Sequence, residues 1–278
     1  MPVTLDKIGR YEIERELAQG GMGVIFLARD PYIQRQVVIK VLMYSHVSDD
    51  VYREFFLQEA ELIAALEHPC IVPIYDFGWH GKQPYIVMRY MAGGSLEDKL
   101  KTAMLKQTEI AHVFKRIGEA LDAAHAQKIV HRDIKPSNFL YDGTGEIFLS
   151  DFGIAKSKPL RNDDGDWLVG TPAYMSPELV KGEAVDGRAD VYALGVVLYR
   201  LLTGQLPFFS DSTTALVNAH VMLPIPDVRL LAKNIPSAWQ EVVSKAMEKD
   251  PYQRYQTAGE LARDVGEVAS GRWYFRKL

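Results

Sequence analysis

The spacing of apolar residues changes once along this chain, between residues 91 and 95, and no other feature restricts its fold as much. Before that point, short apolar runs at 24–28, 36–42, 71–75 and 85–91 lie between Gly-, Asp- or Pro-containing punctuation and read as strands of a largely antiparallel sheet. One helix interrupts them, over 51–67. There Phe55, Phe56, Ala60, Leu62, Ile63 and Leu66 recur at three- and four-residue spacing, so one stripe faces a core. Glu59 falls inside that stripe, whereas Glu54, Gln58 and Glu61 fall on the other side. After residue 95 the spacing is helical, over 96–101, 108–127, 190–203, 215–221, 239–247 and 258–269. Two short apolar pieces, 129–130 and 147–149, break the helical half, and each delivers an aspartate within a few residues, Asp133 and Asp151. The expectation is an α+β chain: a small antiparallel-sheet lobe with one helix, a connector near 89–94, and a larger, mainly helical lobe.

With 278 residues, 47% hydrophobic and 24% charged, the chain can build two lobes with separate cores. A formal net charge of −4, spread along the sequence, argues against nucleic-acid or membrane-surface binding, both of which need clustered Lys and Arg. The only cysteine, Cys70, can form no intrachain disulfide, which suits a reducing compartment. The N-terminus is too charged for a secretory signal. The longest candidate span, 191–199, is about half the roughly 20 apolar residues needed to cross a bilayer. A soluble, cytoplasmic chain is expected, with no membrane segment of its own.

The stretch LAQGGMGVIFLARD at 17–30 places Gly20, Gly21 and Gly23 before an apolar run. In a dinucleotide-binding βαβ unit the last glycine opens a helix. Here VIFLA follows, which is strand sequence, so the glycines are expected to make the turn of a β-hairpin. Ala18 occupies the first glycine position of the pattern. Taken alone, the motif allows either a bare hairpin or one lying over phosphates.

Further motifs follow in order: VVIK at 37–40, HRDIKPSN at 131–138, DFG at 151–153 and MSPE at 175–178. Together they resemble the eukaryotic-like (Hanks-type) serine/threonine protein kinases over about residues 11–266, and GGMG, LARD, GTPAYMSPE and DPYQR are most similar in form to bacterial members. The resemblance implies the bilobal protein-kinase fold, with 11–91 as the N-lobe, 92–266 as the C-lobe and 267–278 as an extension or linker. It implies ATP held between the lobes, Mg²⁺, and transfer of the γ-phosphoryl group to Ser or Thr hydroxyls of protein substrates. It also implies a dimer through the small lobe, and a place as the cytoplasmic domain of a longer protein.

Lys40 sits inside an apolar run and Glu59 on a buried stripe, where each needs a partner of opposite sign. An ion pair holding sheet to helix would satisfy both, and the resemblance adds a grip on the α and β phosphates. By the same resemblance Asp133 orients the acceptor hydroxyl and takes its proton, Lys135 offsets charge on the transferred group, and Asn138 with Asp151 supplies hard oxygen ligands to Mg²⁺. Ala18, Gln19, Gly20, Gly21, Met22, Gly23 and Val24 form the glycine loop. Adenine lies between Leu17, Ile25 and Val38 on one side and Leu140 on the other, with Met88 behind and the backbone of 89–91, ending at Met91, along its edge. Thr171 shapes the seat of the acceptor residue, Glu178 pairs with Arg254, and Asp190 braces the catalytic loop through its backbone.

Ala18 and Val38 depart from the pattern, and Val38 adds methyl groups at the adenine site. Arg89 stands where relatives often carry an acid. Between Ser157 and Thr171 there is no Ser, Thr or Tyr, in the segment where such kinases are usually phosphorylated. Asp163, Asp164 and Asp166 lie there. Either one of them reaches Arg132 in place of a phosphate, or they form a solvated acidic turn. A catalytically silent, nucleotide-binding scaffold is the competing reading. Ala18 and Val38 leave it open, and Lys40, Glu59, Asp133, Asn138 and Asp151 count against it. A Rossmann oxidoreductase is disfavoured by the strand after Gly23.

Overall fold

Alternation of β-branched and other residues builds the first of two units, which comprises Met1–Glu67 and Ile71–Ala92; the second comprises His68–Cys70 and Gly93–Leu278. The computed structural model describes residues 6–20, 23–42, 50–152, 160–161, 167–168, 171–233 and 235–273. In the first unit β1 (Lys7–Ile8), β2 (Tyr11–Gly20), β3 (Gly23–Asp30), β4 (Arg35–Leu42), β5 (Ile74–His80) and β6 (Gln83–Arg89) form one sheet, ordered β1-β2-β3-β4-β6-β5. Every neighbouring pair is antiparallel. Helix α1 (Asp50–Ala64) separates β4 from β5 in sequence.

On β4, Val37, Ile39 and Val41 are buried and join Ile8, Tyr11, Ala28, Tyr85 and Val87 in a core. Because strand side chains alternate, Val38 and Lys40 point to the opposite face. Pairing across the sheet carries that face outward: Ile25 and Ile86 flank Lys40, Leu27 and Met88 flank Val38, and Ala18 pairs with Ile25.

The observed elements differ from expectation at several ends. The run at 71–75 becomes a strand only from Ile74, after Pro73, which has no N–H to give a ladder. The run at 85–91 ends its pairing at Arg89. Helix α1 stops at Ala64 rather than 67. Its buried stripe is Phe56, Ala60 and Ile63, with Phe56 edge-on to Trp79 at 5.5 Å. Leu62, expected on that stripe, is 59% exposed. Glu59, three residues after Phe56 and four before Ile63, is half-buried.

The second unit holds α2 (Leu96–Leu100), α3 (Gln107–Ala126), the pair β7 (Phe139–Tyr141) and β8 (Ile147–Leu149), the pair β9 (Leu160–Arg161) and β10 (Trp167–Leu168), then α4 (Pro177–Lys181), α5 (Gly187–Thr203), α6 (Thr213–Met222), α7 (Ala238–Ala246) and α8 (Ala258–Ala269). The piece at 129–130 forms no strand, and the residue before it, Lys128, takes a positive φ of 62°. Helix α5 is buried at every position from Ala189 to Leu202 except Arg200, as a helix apolar all round must be. Helices α3 and α8 meet at Gly118, where an added Cβ would lie 3.0 Å from Ala262 Cβ and 3.1 Å from the Ala258 carbonyl. Asp122 of α3 accepts hydrogen bonds from the Ala258 and Gly259 amides at 2.9 and 3.0 Å, capping the start of α8. Among the described residues no helix is long and apolar enough to cross a membrane.

Candidate active site

The loop from His131 to Asn138 carries a dense polar network, and it is held by its backbone. Asp190, in the first turn of α5, is 1% exposed. Its carboxylate accepts from the His131 and Arg132 amides, both at 2.9 Å, and pairs with His125 Nε2 at 2.8 Å. These bonds hold Arg132 at φ 62°, a conformation costly for a residue with a side chain. His131 Nδ1 accepts from the Asp133 amide at 3.2 Å, so Nε2 carries the proton given to the Ser150 carbonyl at 2.8 Å. Phe152 packs against the same ring, its centroid 4.7 Å away. Asp190 therefore does bind the loop backbone, as the sequence led us to expect.

Asp133 is buried, and donors converge on its carboxylate. Thr171 Oγ1 donates to Oδ1 at 3.0 Å, while Lys135 Nζ lies 2.9 Å from Oδ2 and Asn138 Nδ2 lies 3.2 Å from it. Lys135 Nζ also donates to Thr171 Oγ1 at 2.8 Å. One carboxylate, one ammonium, one amide and one hydroxyl thus meet within hydrogen-bond reach. Such a cluster can accept a proton at its carboxylate and offset negative charge with its ammonium.

Asn138 also donates through Nδ2 to the Asp133 carbonyl at 2.8 Å. With its nitrogen turned to Asp133, its carbonyl oxygen is directed away from that contact. Asp151, half-buried with φ 61°, follows β8. An amide oxygen and a carboxylate are hard donors, so this pair fits Mg²⁺ in kind.

In the first unit Ala18, Ile25, Val38, Lys40 and Met88 share the sheet face opposite the core. Leu17 sits at a shift in register between Glu16 and Ala18. Gln19 pairs with Val24, and Val24 with Val41, a row belonging to the other face. Gly20 pairs with Gly23 at the hairpin end. Gly23 has φ 147°, and a side chain there would run into the Val41 carbonyl, so glycine is required. Met91 is buried just past β6, and Leu140 lies in β7 opposite Phe148, bridged to Ser95. Gly21, Met22, Asp163, Asp164 and Asp166 lie outside the described residues.

Arg254 and Glu178 form the expected pair, bidentate at 2.7 Å on both arms, with side chains 0% and 5% exposed. Sequence reasoning missed a second fork, in which Arg200 binds Glu97 at 2.7 Å on both arms and Tyr174 Oη at 2.7 Å. A signal was present: an arginine inside the apolar run of α5.

Residues 11–264 match the protein kinase domain family. PknJ of Mycobacterium tuberculosis, named a serine/threonine-protein kinase, is 40% identical over 271 residues, covering 94% of this chain and 46% of that protein. PrkC of Bacillus subtilis, named likewise, is 36% identical over 261 residues, covering 92% of this chain and 40% of that protein. The crystal structure of the M. tuberculosis PknI kinase domain aligns with a TM-score of 0.77 at 29% identity, covering 94% of this chain and 96% of that one. The chain spans less than half the length of these curated relatives. Its sheet-rich first unit and helical second unit are those of the protein-kinase fold. The chain therefore belongs to the protein kinase domain family, beside bacterial members named serine/threonine-protein kinases.

Proposed function

We propose that this chain transfers the γ-phosphoryl group of Mg-ATP to serine and threonine hydroxyls of proteins. The observation that supports it best is the convergence of Lys135, Asn138 and Thr171 on Asp133, on a loop held by Asp190. Asp133 would orient the acceptor hydroxyl and take its proton as the oxygen attacks. Lys135 would lie against the transferred group and offset its charge. Lys40, supported by Glu59, would grip the α and β phosphates, and Gly20 to Gly23 would cover them with bare backbone. Adenine would rest on the face that carries Ile25, Val38 and Met88, with Leu17, Met91 and Leu140 around it. Asn138 and Asp151 would hold Mg²⁺, which when bound neutralises phosphate charge and orients the triphosphate. Positioning and charge offset are most of what phosphoryl transfer asks of a protein.

We take 11–266 as the catalytic domain, divided into 11–91 and 92–266, with 267–278 as an extension. The division between Ala92 and Gly93 and the family match over 11–264 support this. Buried, unpaired Cys70 supports a reducing, cytoplasmic setting. Self-association through the small unit would use exposed surface such as that of Tyr32 and Ile33 between β3 and β4.

Labelled ATP and a generic protein acceptor test the reading. Asp133→Ala is expected to lower transfer by about 10²–10⁴-fold with the melting temperature little changed. Equal labelling by the variant and the wild type would reject the role of Asp133. Stabilisation by Mg-ATP without any transfer would favour a silent scaffold.

A further inference from the structure

Arg200 is the only charged residue between Val191 and Leu202 of α5, and its side chain is 22% exposed. Its guanidinium gives Nη1 and Nη2 to the two carboxylate oxygens of Glu97, each at 2.7 Å, and Nη1 also to Tyr174 Oη at 2.7 Å. Charge-assisted bonds of this length, on one planar fork, are the strong class of protein hydrogen bonds. Glu97 raises the Arg200 pKa, so the fork stays charged, and burial raises that of Tyr174, which stays a neutral phenol.

The three residues belong to three elements. Glu97 is in the first turn of α2, whose N-cap Ser95 bridges to Leu140 of β7. The same junction is stitched by Gly93 N to the Tyr141 carbonyl and Tyr141 N to the Gly94 carbonyl, both at 2.8 Å. Tyr174 ends the 3₁₀ turn Pro172–Tyr174, whose N-cap is Thr171. Thr171 is the residue that touches both Asp133 and Lys135. Arg200, on the helix between them, joins the strand that carries Leu140 to the turn that carries Thr171.

We propose that Glu97, Arg200 and Tyr174 form a clamp that positions the acceptor seat against Asp133. It rests on the phosphoryl-transfer reading above. Arg200 is a positioning residue: it acts on the reaction through Tyr174 and the short turn back to Thr171. A lysine cannot replace it, because a single ammonium cannot reproduce the fork that serves a carboxylate and a phenol together.

The experiment compares wild type with Arg200→Met, Arg200→Lys, and the exchange Glu97→Arg with Arg200→Glu, in which the Tyr174 phenol can donate to the new carboxylate. Steady-state rates are taken with Mg-ATP and a serine/threonine peptide library, and amide hydrogen exchange is followed over 171–176. Arg200→Met and Arg200→Lys are expected to lose about 10-fold or more in kcat/KM for peptide while KM for Mg-ATP moves less than about 2-fold, the size of one lost charge-assisted bond. Exchange over 171–176 rises about 10-fold in the same variants, and the charge exchange restores both readouts in large part. Wild-type kcat/KM together with unchanged exchange in Arg200→Met would overturn the clamp. So would a charge-exchange variant that folds and behaves like Arg200→Met. If wild type transfers no phosphate, the functional reading fails, and the exchange of 171–176 still decides whether the clamp exists.

Discussion

At the scale of single residues, burial decides which polar groups are tuned and which are only paired. His220 of α6 is fully buried, with its Nδ1 3.0 Å from Tyr192 Oη and the Phe208 ring edge-on at 5.0 Å. Lys249 Nζ donates to the His220 carbonyl at 2.7 Å and lies 5.8 Å from the Tyr192 ring, over which Arg254 also sits at 5.0 Å. Burial first, and the Lys249 charge second, lower the His220 pKa from 6.5 to about 4. The unfolded chain therefore binds the proton more readily than the folded one between these values, and stability falls as pH drops from 6.5 toward 4. The loss is about 3 kcal/mol at most and does not grow below the folded value. Urea titrations across that window should show a shallower pH slope for His220→Gln than for wild type; identical slopes would remove His220 as the cause. Lys40 and Glu59 are each marked in the sequence as residues in need of a partner, because both interrupt apolar patterns. Arg200 interrupts one too, yet its partners, Glu97 and Tyr174, lie 103 and 26 residues away and carry no mark in the sequence.

At the scale of elements, period fixed type better than ends. Strand β2 was legible only as one arm of the glycine hairpin, because Tyr11–Gly20 is mostly polar and exposed, so no apolar run announces it. Its place follows from pairing with β3, which no local propensity encodes. Helix α1 was recognised, but Leu62 shows that a stripe read from spacing is wider than the stripe a neighbour covers. Gly118 illustrates the converse: a poor helix former sits inside α3 where α8 leaves little room for a Cβ. Gly118→Val should gain helix propensity yet destabilise the fold by about 1–3 kcal/mol through overpacking. Thermal melts compare it with Gly266→Val, at a position where an added Cβ has no atom within 4 Å; equal effects at both positions would show that helix contact is not the reason.

At the scale of the whole molecule, the buried Arg254–Glu178 pair ties the start of α4 to the turn before α8, and Arg254 further donates to the Glu248, Arg188 and Lys249 carbonyls at 2.7, 2.9 and 3.1 Å. Arg254→Met leaves Glu178 buried without its partner and should cost about 3–5 kcal/mol, whereas adding Glu178→Leu should recover much of it. Chemical denaturation of the single and double variants measures this, and an additive double variant would deny the coupling. The amino-acid sequence alone determined the two-part architecture, the strand after Gly23 and the residue types on which the proposed chemistry rests, since periodicity and residue type are local properties of the chain. Only the tertiary structure decided that Thr171 and Lys135 meet on Asp133, that Asp190 holds Arg132 in a left-handed backbone, and that Arg200 joins Glu97 to Tyr174. The Thr171–Asp133, Asp190–Arg132 and Arg200–Glu97 contacts join residues 38, 58 and 103 positions apart, and closing loops of that length is decided by how the elements pack rather than by any pattern local to one segment.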